Sequence, residues 1–234
     1  MNKTIKRLYN RITGRFKHIK KGICHQSKWY GNKYGGFFVI PDLIHSNSII
    51  YSFGIGKDIS FDSEIIEKHG CEVFGFDPTP KSIKWCQEQV LPKNFHLHEY
   101  GIASETGLAS FYLPQNKNHI SGSIVYNNNV SPNDFISVDM KAFKDIATEL
   151  NHDKVDLVKI DIEGAEYDVL DNILQSSIVI NQLVIEFHER FFKDGKDKTI
   201  KSINTLNKKG YEVFAVSDSF EEVSFVRTKA LKQK

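Results

Sequence analysis

Apolar and polar positions alternate in blocks along most of the chain. Apolar runs such as "IIYSF" and "VDLVKID" are each followed by a segment whose apolar positions have helical spacing. Near-continuous apolar runs are typical of parallel strands that are covered on both faces. The pattern predicts an α/β, Rossmann-like fold with a seven-stranded, mostly parallel sheet and helices on both faces. The last strand, "EVSFVR", is expected to be antiparallel, and residues 108–138 are expected to form a β-rich insertion.

The N-terminal segment has a different pattern. In residues 1–23 apolar side chains recur every three or four positions between lysines and arginines, which predicts a basic amphipathic helix. We therefore divide the chain into an N-terminal arm, residues 1–34, and one α/β domain, residues 35–234. Such a helix can bind an anionic membrane surface or a polyanionic acceptor, or it can dock on the domain or on a second subunit.

Charge is distributed unevenly along the 234 residues. Residues 1–41 contain ten Lys and Arg and no Asp or Glu, whereas the remainder carries 21 basic and 29 acidic residues. The three cysteines are odd in number and lack a C-x-x-C spacing, which argues against a disulfide framework or a zinc site and favours a reducing, cytoplasmic setting. No apolar run has the length of a membrane span. The two tryptophans, Trp29 and Trp85, are assigned to packing, and the oligomeric state stays open.

The turn "FGIGKD" follows the first strand of the predicted sheet. Its glycines, Gly54 and Gly56, allow a tight turn and the close approach of a ligand to the backbone. Ile59 takes the place of a dinucleotide loop's third glycine, and Asp58 would repel a pyrophosphate. Asp77 follows the second strand at the offset where an acid typically binds a ribose hydroxyl. A ribose without a phosphate fits S-adenosylmethionine better than NAD, and a purely structural turn is the alternative.

Charged residues gather at the end of the predicted fourth strand, in "VKIDIEGAE". Because side chains alternate along a strand, Lys159, Asp161 and Glu163 are expected to point to the same side. One strand further along, in "VIEFHE", Glu186 and His188 share a face. Charges at the end of a buried strand are costly unless they bind a ligand or pair with one another. The cluster therefore predicts a catalytic site, with a structural ion-pair network as the alternative.

These residues resemble the FkbM family of S-adenosylmethionine-dependent methyltransferases, over about residues 35–226. The family's Lys-Ile-Asp-x-Glu-Gly-x-Glu block matches residues 159–166 in full, "LVIEFH" matches its next strand, and Val-Asp at 138–139 occupies the place of its upstream Leu-Asp. The first turn departs from the family's Asp-x-Gly-Ala-Asn-x-Gly pattern, because Ser52 replaces the first acid and Asp58 the last glycine. The resemblance implies the class I methyltransferase fold.

The resemblance further implies methyl transfer to a hydroxyl of a sugar or another small molecule, often in surface-polysaccharide or natural-product pathways. Asp161 and His188 are the candidates for a base that removes the hydroxyl proton, and Glu163 and Glu186 would orient the acceptor. The predicted catalytic set is Asp161, His188, Glu163, Glu186 and Lys159. The predicted cofactor-binding set is Ser52, Gly54, Gly56, Asp58, Asp77, Pro78, Ile102 and Asp161.

The sequence leaves three alternatives to this mechanism and function. A divalent cation, magnesium or manganese, can bind the carboxylates and lower the pKa of the hydroxyl in place of a base. The acceptor can be a protein or a nucleic acid, although no Asn-Pro-Pro-Tyr motif is present and the basic arm lacks interleaved aromatic residues for stacking bases. The chain can also be a scaffold that binds the donor without using it.

Overall fold

A central seven-stranded sheet dominates the computed structural model, which describes residues 16–115 and 122–232. The strands are β1 (Lys28–Tyr30), β2 (Phe37–Val39), β3 (Ile49–Phe53), β4 (Glu72–Phe76), β5 (Phe95–His98), β6 (Gly101–Ala103), β7 (Gly107–Pro114), β8 (Val130–Ala142), β9 (Lys154–Ile160), β10 (Val179–Glu186), β11 (Tyr211–Val216) and β12 (Glu222–Arg227). The α-helices are α1 (Ser60–His69), α2 (Pro80–Gln87), α3 (Phe143–Glu149), α4 (Glu166–Gln175) and α5 (Gly195–Lys208). Short 3-10 segments span Pro41–Leu43, Glu189–Phe191 and Thr228–Lys232.

The strand order of the central sheet is β11-β12-β10-β9-β3-β4-β5. Strand β12 runs antiparallel to both of its neighbours, and the remaining pairs are parallel. The predicted seven-stranded sheet and its antiparallel last strand are therefore confirmed. The chain leaves β3 toward β4 on one side and returns to β9 on the other, so the switch point of the sheet lies between β3 and β9. Ligands of open α/β sheets bind outside the carboxyl ends of the strands at such a point.

Each face of the sheet is covered by its own apolar layer. Tyr51 and Phe53 of β3 pack in a core that includes residues of α3, α4 and α5. Ile50, on the opposite face of the same strand, packs with residues of α1, α2 and the β1–β2 hairpin. This alternation follows from the two-residue period of a strand, and it confirms the predicted helices on both faces.

Local sequence signals explain where the first two helices begin and end. Helix α1 ends at Gly70, whose φ of 67° is left-handed, a conformation that glycine adopts without a steric penalty. Helix α2 begins at Pro80, where the missing backbone N–H has no helical partner to lose. The carboxyl ends of β3 and β4 thus lead directly into helices, which places short turns at the edge where a ligand would bind.

A second, three-stranded sheet has the order β6-β8-β7. Strands β7 and β8 pair antiparallel, with Gly107 opposite Met140 and Phe111 opposite Ile136. This sheet contains the predicted β-rich insertion. It lies beside the carboxyl edge of the central sheet, because β6 follows β5 directly and β8 leads into α3.

Part of the N-terminal arm packs on the domain. Residues 16–18 form a turn, and residues 19–23 continue without a helix. Ile19 is buried in the main core, and the amides of Gly22 and Ile23 donate to the carbonyl of Val213. The predicted helix over residues 1–23 is thus wrong for residues 16–23, because backbone amides of this stretch bond to the edge strand β11 instead. Residues 1–15 lie outside the described part of the chain. The boundary at residue 34 stays a prediction, and the β1–β2 hairpin crosses it.

Among the described residues, no helix combines the length and apolar character that a membrane crossing requires.

Candidate active site

A cavity of about 470 Å³ opens at the carboxyl ends of β3 and β4, beside the turn that follows β9. It therefore lies at the switch point of the sheet. Strands β7 and β8 close its far side with Phe111 and Met140. The predicted cofactor-binding residues that border it are Gly54, Gly56, Asp58, Asp77, Pro78, Ile102 and Asp161. Ser52 does not border this cavity.

The turn after β3 depends on Gly54. Its φ is 82°, and a Cβ atom at this position would overlap the carbonyl oxygen of Asp161. Its amide donates to Phe76 O at 3.0 Å, which ties the turn to β4. Gly56 also has a positive φ, of 59°, and a Cβ there would meet nothing within 4 Å, so this part of the turn faces open space. The close contact of the turn with Asp161 is made at Gly54, so Ile59 in place of a third glycine does not disturb it.

Asp77 holds this turn in place. One carboxylate oxygen accepts the amides of Ile55 at 3.1 Å and Gly56 at 2.9 Å. The other accepts the amide and the hydroxyl of Thr79, at 2.9 and 2.6 Å. The side chain is buried, and these four bonds use about all the lone pairs that a carboxylate has. The predicted ribose contact stays a prediction. The structure adds a second role, in which Asp77 fixes the backbone of the turn after β3, which we call the donor turn.

Asp58 joins the donor turn to the loop of the β1–β2 hairpin, residues 31–36. Its Oδ2 accepts Asn32 Nδ2 at 2.6 Å, and its Oδ1 accepts the amide of Ser60 at 2.8 Å. Asn32 in turn shapes the loop, because its Oδ1 accepts the amide of Tyr34 at 2.6 Å. The carboxylate that replaces the family's last glycine is thus engaged by the protein itself, although it still borders the cavity.

Ser52 and Lys159 lie beneath the turn, on the α1 face of the sheet. They are paired across β3 and β9, so their side chains point to the same side, toward the buried Asp62 of α1. Lys159 Nζ donates to Gly54 O at 2.8 Å. Burial raises the pKa of Asp62, although Lys159 and the Ser52 hydroxyl oppose the shift. Among the described residues, the Ser52 hydroxyl and the Asp62 carboxylate oxygens have no partner with good hydrogen-bond geometry.

The structure does not bring Lys159 to the carboxylates that it was expected to join. Strand β9 ends at Ile160, so Asp161 already belongs to a turn and the alternation of side chains stops there. The predicted catalytic role of Lys159 stays a prediction, and the contact that the structure gives it is with the donor turn.

The other four predicted catalytic residues meet around the imidazole of His188. Its Nε2 lies 3.3 Å from Glu163 Oε2, 3.5 Å from Glu186 Oε1 and 3.8 Å from Asp161 Oδ1. A fourth carboxylate, Glu166, lies 3.2 Å from Nδ1 and also accepts the backbone amide of His188 at 2.8 Å. We call these five residues the acidic cluster.

The turn "EGAE" gives the cluster its shape. Glu163 has a left-handed backbone with a φ of 54°, which is uncommon for a residue other than glycine, and Gly164 follows with a φ of 104°. Glu166 Oε2 accepts the amide of Gly164 at 2.8 Å. Glu166 thus fixes both the turn and the ring of His188, while Glu163 is held in a strained conformation of the kind that concentrates at functional sites.

The members of the acidic cluster differ in the solvent exposure of their side chains. The side chains of Asp161 and Glu163 are 25% and 22% exposed, whereas that of His188 is 1% exposed. Burial alone would lower the pKa of His188, but the carboxylates of Glu166, Glu186 and Glu163 outweigh it and raise this pKa to about 10. Burial and the neighbouring Asp161 also raise the pKa of Glu186. His188 is therefore the enclosed cation of the cluster, and Asp161 and Glu163 are carboxylates that lie beside it and also border the cavity.

Three of these residues have the geometry for a metal ion. One ligand atom each from Asp161, Glu186 and His188 lies within 4.8 Å of the others. Glu166 at Nδ1 leaves Nε2 free to face such an ion, as is usual for a metal-bound histidine. The same distances fit an imidazolium that pairs with the carboxylates, so the geometry accommodates a cation without requiring one.

A second, larger cavity has a volume of about 910 Å³. Glu186 borders it, and Tyr34 of the hairpin loop borders both cavities. Arg190 also borders it and pairs with Glu221 at 2.9 Å and Glu186 at 3.7 Å. Trp29, assigned from the sequence to packing, lies in its wall.

The sequence interpretation missed the hairpin residues of this second cavity, since nothing in their local pattern points to a ligand. The glycines of "YGNKYGG" are typical of a linker or a turn, and the tyrosine among them is the one signal that could have been followed.

Comparisons with known proteins identify the type of domain. Residues 49–213 match the family model described as the methyltransferase FkbM domain. A protein named probable methyltransferase-like protein 24 from Homo sapiens is 25% identical over 175 residues, 70% of this chain and 41% of the human protein. Its counterpart from Rattus norvegicus is 28% identical over 143 residues, 59% of this chain and 32% of the rat protein. The chain thus spans less than half the length of these relatives.

Solved structures are similar at a coarser level. The Methanococcus jannaschii fibrillarin pre-rRNA processing protein has a TM-score of 0.47 and 14% identity, covering 89% of this chain and 85% of that protein. An rRNA methylase from Streptococcus thermophilus has a TM-score of 0.46 and 9% identity, covering 80% of this chain and 90% of that protein. Likenesses of this size say nothing about the acceptor of the present chain.

Proposed function

The chain belongs to the FkbM methyltransferase family, whose members take their methyl group from S-adenosylmethionine, and we propose that it methylates a hydroxyl group of a sugar or another small acceptor. The match covers residues 49–213, which include the donor turn and the acidic cluster. The observation that carries the proposal is the position of Asp161, which borders the donor cavity and contacts the cluster at the same time.

The residues around the first cavity fit the donor. Gly56 leaves the backbone open to a ligand, Gly54 lets the turn pack against Asp161, and Asp77 holds the turn in place. Pro78 and Ile102 supply apolar surface beside it, which suits an adenine ring. The carboxylates of Asp58, Asp161 and Glu163 give the cavity an acidic wall, which favours the cationic sulfonium and ammonium groups of the donor and disfavours a pyrophosphate.

Methyl transfer is a displacement in which the acceptor oxygen bonds to the methyl carbon while the carbon–sulfur bond breaks and its electron pair returns to sulfur. The chain must align the two reactants and receive the proton of the hydroxyl. We assign the proton to the Asp161 carboxylate, because it is the more accessible of the two predicted bases. His188 acts behind it as a positioning residue, since a ring held as an imidazolium has no lone pair to accept a proton.

The direct test is to incubate the purified full chain with methyl-labelled S-adenosylmethionine and a panel of sugars, sugar phosphates and small hydroxyl compounds. Mass spectrometry should find a product that is heavier by about 14 mass units, the mass of the added CH₂, plus the mass of the isotopic label. Binding of S-adenosylhomocysteine by calorimetry provides the readout that needs no acceptor. A chain that binds the nucleoside but methylates only protein or RNA would contradict the choice of acceptor, and a chain that binds NAD instead would contradict the whole proposal.

The cellular setting belongs to the same proposal. All three cysteines are free, with Cys71 and Cys86 buried and Cys24 exposed, which fits the predicted reducing cytoplasm. We further propose a role in surface-polysaccharide synthesis, with the basic arm near an anionic membrane or acceptor. A donor-binding scaffold is the competing function, and substitution of Asp161 separates the two, because a scaffold would keep its activity in the cell.

A further inference from the structure

We propose that the second cavity is the acceptor site and that it selects a phosphorylated sugar. The inference rests on the proposed function, because it assumes that the donor occupies the first cavity. Members of the acidic cluster border both cavities: Glu186 borders the second and Asp161 the first, and both lie within 3.8 Å of His188 Nε2. An acceptor in the second cavity can therefore present a hydroxyl to the base that borders the donor.

The wall of the second cavity suits a sugar ring. Trp29 and Phe38 pack edge to face, with ring centroids 5.0 Å apart, and Phe192 lies in the same wall. Aromatic faces provide apolar contact for the C–H groups of a sugar, while the carboxylates of the cluster can accept hydrogen bonds from its hydroxyls. The cavity volume of about 910 Å³ exceeds the needs of a single small hydroxyl compound and leaves room for a substituent.

The carboxylates of this cavity are occupied by partners within the protein. Glu189 pairs with His18 at 2.6 Å, and Glu221 pairs with Arg190 at 2.9 Å. Glu222 accepts short hydrogen bonds from the hydroxyls of Ser217 and Ser219. These carboxylates are therefore held by groups of the protein before any ligand enters, although acidic residues outnumber basic ones in the lining.

The lysines of the cavity lack such partners. Lys33 lies on the hairpin loop beside Tyr34, Lys193 lies just before α5, and Lys196 lies in its first turn. In the part of the chain that the structure describes, none of these three ammonium groups has a carboxylate within 4.0 Å. These three ammonium groups come from two separate elements that border one cavity, so one anionic ligand can reach more than one of them. A phosphate ester is the group that two or three lysines bind well.

The acceptor's phosphate can come from a free sugar phosphate or from a nucleotide-linked sugar. Glucose 1-phosphate and UDP-glucose represent the two sources, and methyl glucoside is the neutral reference. Each is titrated into the full chain saturated with S-adenosylhomocysteine, so that only the acceptor site is measured. We expect at least one phosphorylated probe to bind at least tenfold more tightly than methyl glucoside, with an affinity that falls as salt rises.

Two double variants in or next to α5 make the test specific. Lys193→Gln with Lys196→Gln should weaken the phosphorylated probe at least tenfold and leave methyl glucoside unchanged. Lys201→Gln with Lys208→Gln, which replaces exposed lysines of α5 outside the cavity, should change neither. Equal effects of the two double variants, or no preference for phosphate in the wild-type chain, would overturn the inference. If S-adenosylhomocysteine still binds in that case, the donor site stands and only the acceptor inference fails. A chain that binds no S-adenosylhomocysteine would overturn the proposed function and this inference together.

Discussion

Replacing Asp77 by alanine should lower both the stability of the fold and the affinity for the donor. The carboxylate accepts four hydrogen bonds from the donor turn and from Thr79. After the change the Thr79 hydroxyl can still bond to Ser82, at 2.6 Å, and the half-buried amide of Gly56 can reach water. The buried amides of Ile55 and Thr79 lose their partners. A buried donor without a partner costs about 1–3 kcal/mol, so we expect a loss of about 3 kcal/mol in the free energy of unfolding.

A loss of that size is measurable by thermal unfolding. For a chain of this length about 1 kcal/mol shifts Tm by roughly 2–4 °C, so Tm should fall by about 6–12 °C. Calorimetry with S-adenosylhomocysteine, below the new Tm, should show Kd raised at least tenfold, which is about 1.4 kcal/mol. Asp134→Ala, at an exposed position of β8, is the matched control and should change neither quantity. If Tm is unchanged while Kd rises, Asp77 acts through the ribose alone and the turn-holding role is refuted.

Three further predictions concern catalysis and binding. Asp161→Asn should lower methyl transfer about a hundredfold or more, as for the loss of a general base, with the S-adenosylhomocysteine affinity nearly unchanged by calorimetry; retained activity would place the base elsewhere. Dialysis against EDTA should leave methyl transfer intact, because the enclosed imidazolium of His188 supplies the positive charge of the acidic cluster; a loss that magnesium restores would identify a metal enzyme. Removal of residues 1–15 should reduce co-sedimentation with anionic vesicles at low salt and leave Tm unchanged, since the packed Ile19 stays in place; equal sedimentation of both chains would exclude a membrane role for this segment.

The sheet and the acidic cluster were predictable from the sequence for the same physical reason. Buried parallel strands need uninterrupted apolar runs, so a charged residue at the end of such a run stands out. Asp161, Glu186 and His188 could be placed at one edge because neighbouring parallel strands end together. The alternation of side chains along a strand holds only up to Ile160, where β9 ends. Lys159 was therefore expected beside the carboxylates that follow, whereas its ammonium group contacts Gly54 O.

Contacts that depend on distant segments were not predictable. Trp29, Lys33 and Tyr34 reach the site because the β1–β2 hairpin folds over α1, and no local pattern encodes that placement. The roles of Asp77 and Asp58 in shaping the turn were missed for the same reason. A carboxylate that binds backbone amides and one that binds a ligand look identical in a sequence, and only the positions of the donors distinguish them.

The departure of the first turn from the family pattern has a structural explanation in the hairpin loop. A glycine at position 58 would lack the side-chain bond to the loop, whereas Asp58 binds Asn32, which in turn binds the amide of Tyr34. Tyr34 borders both cavities, and its neighbour Lys33 borders the second. The residue that replaces glycine in the donor turn therefore fixes the loop that lines the proposed acceptor site. A donor that shifts this turn must also shift the acceptor wall, so the two cavities are expected to bind their ligands as coupled sites.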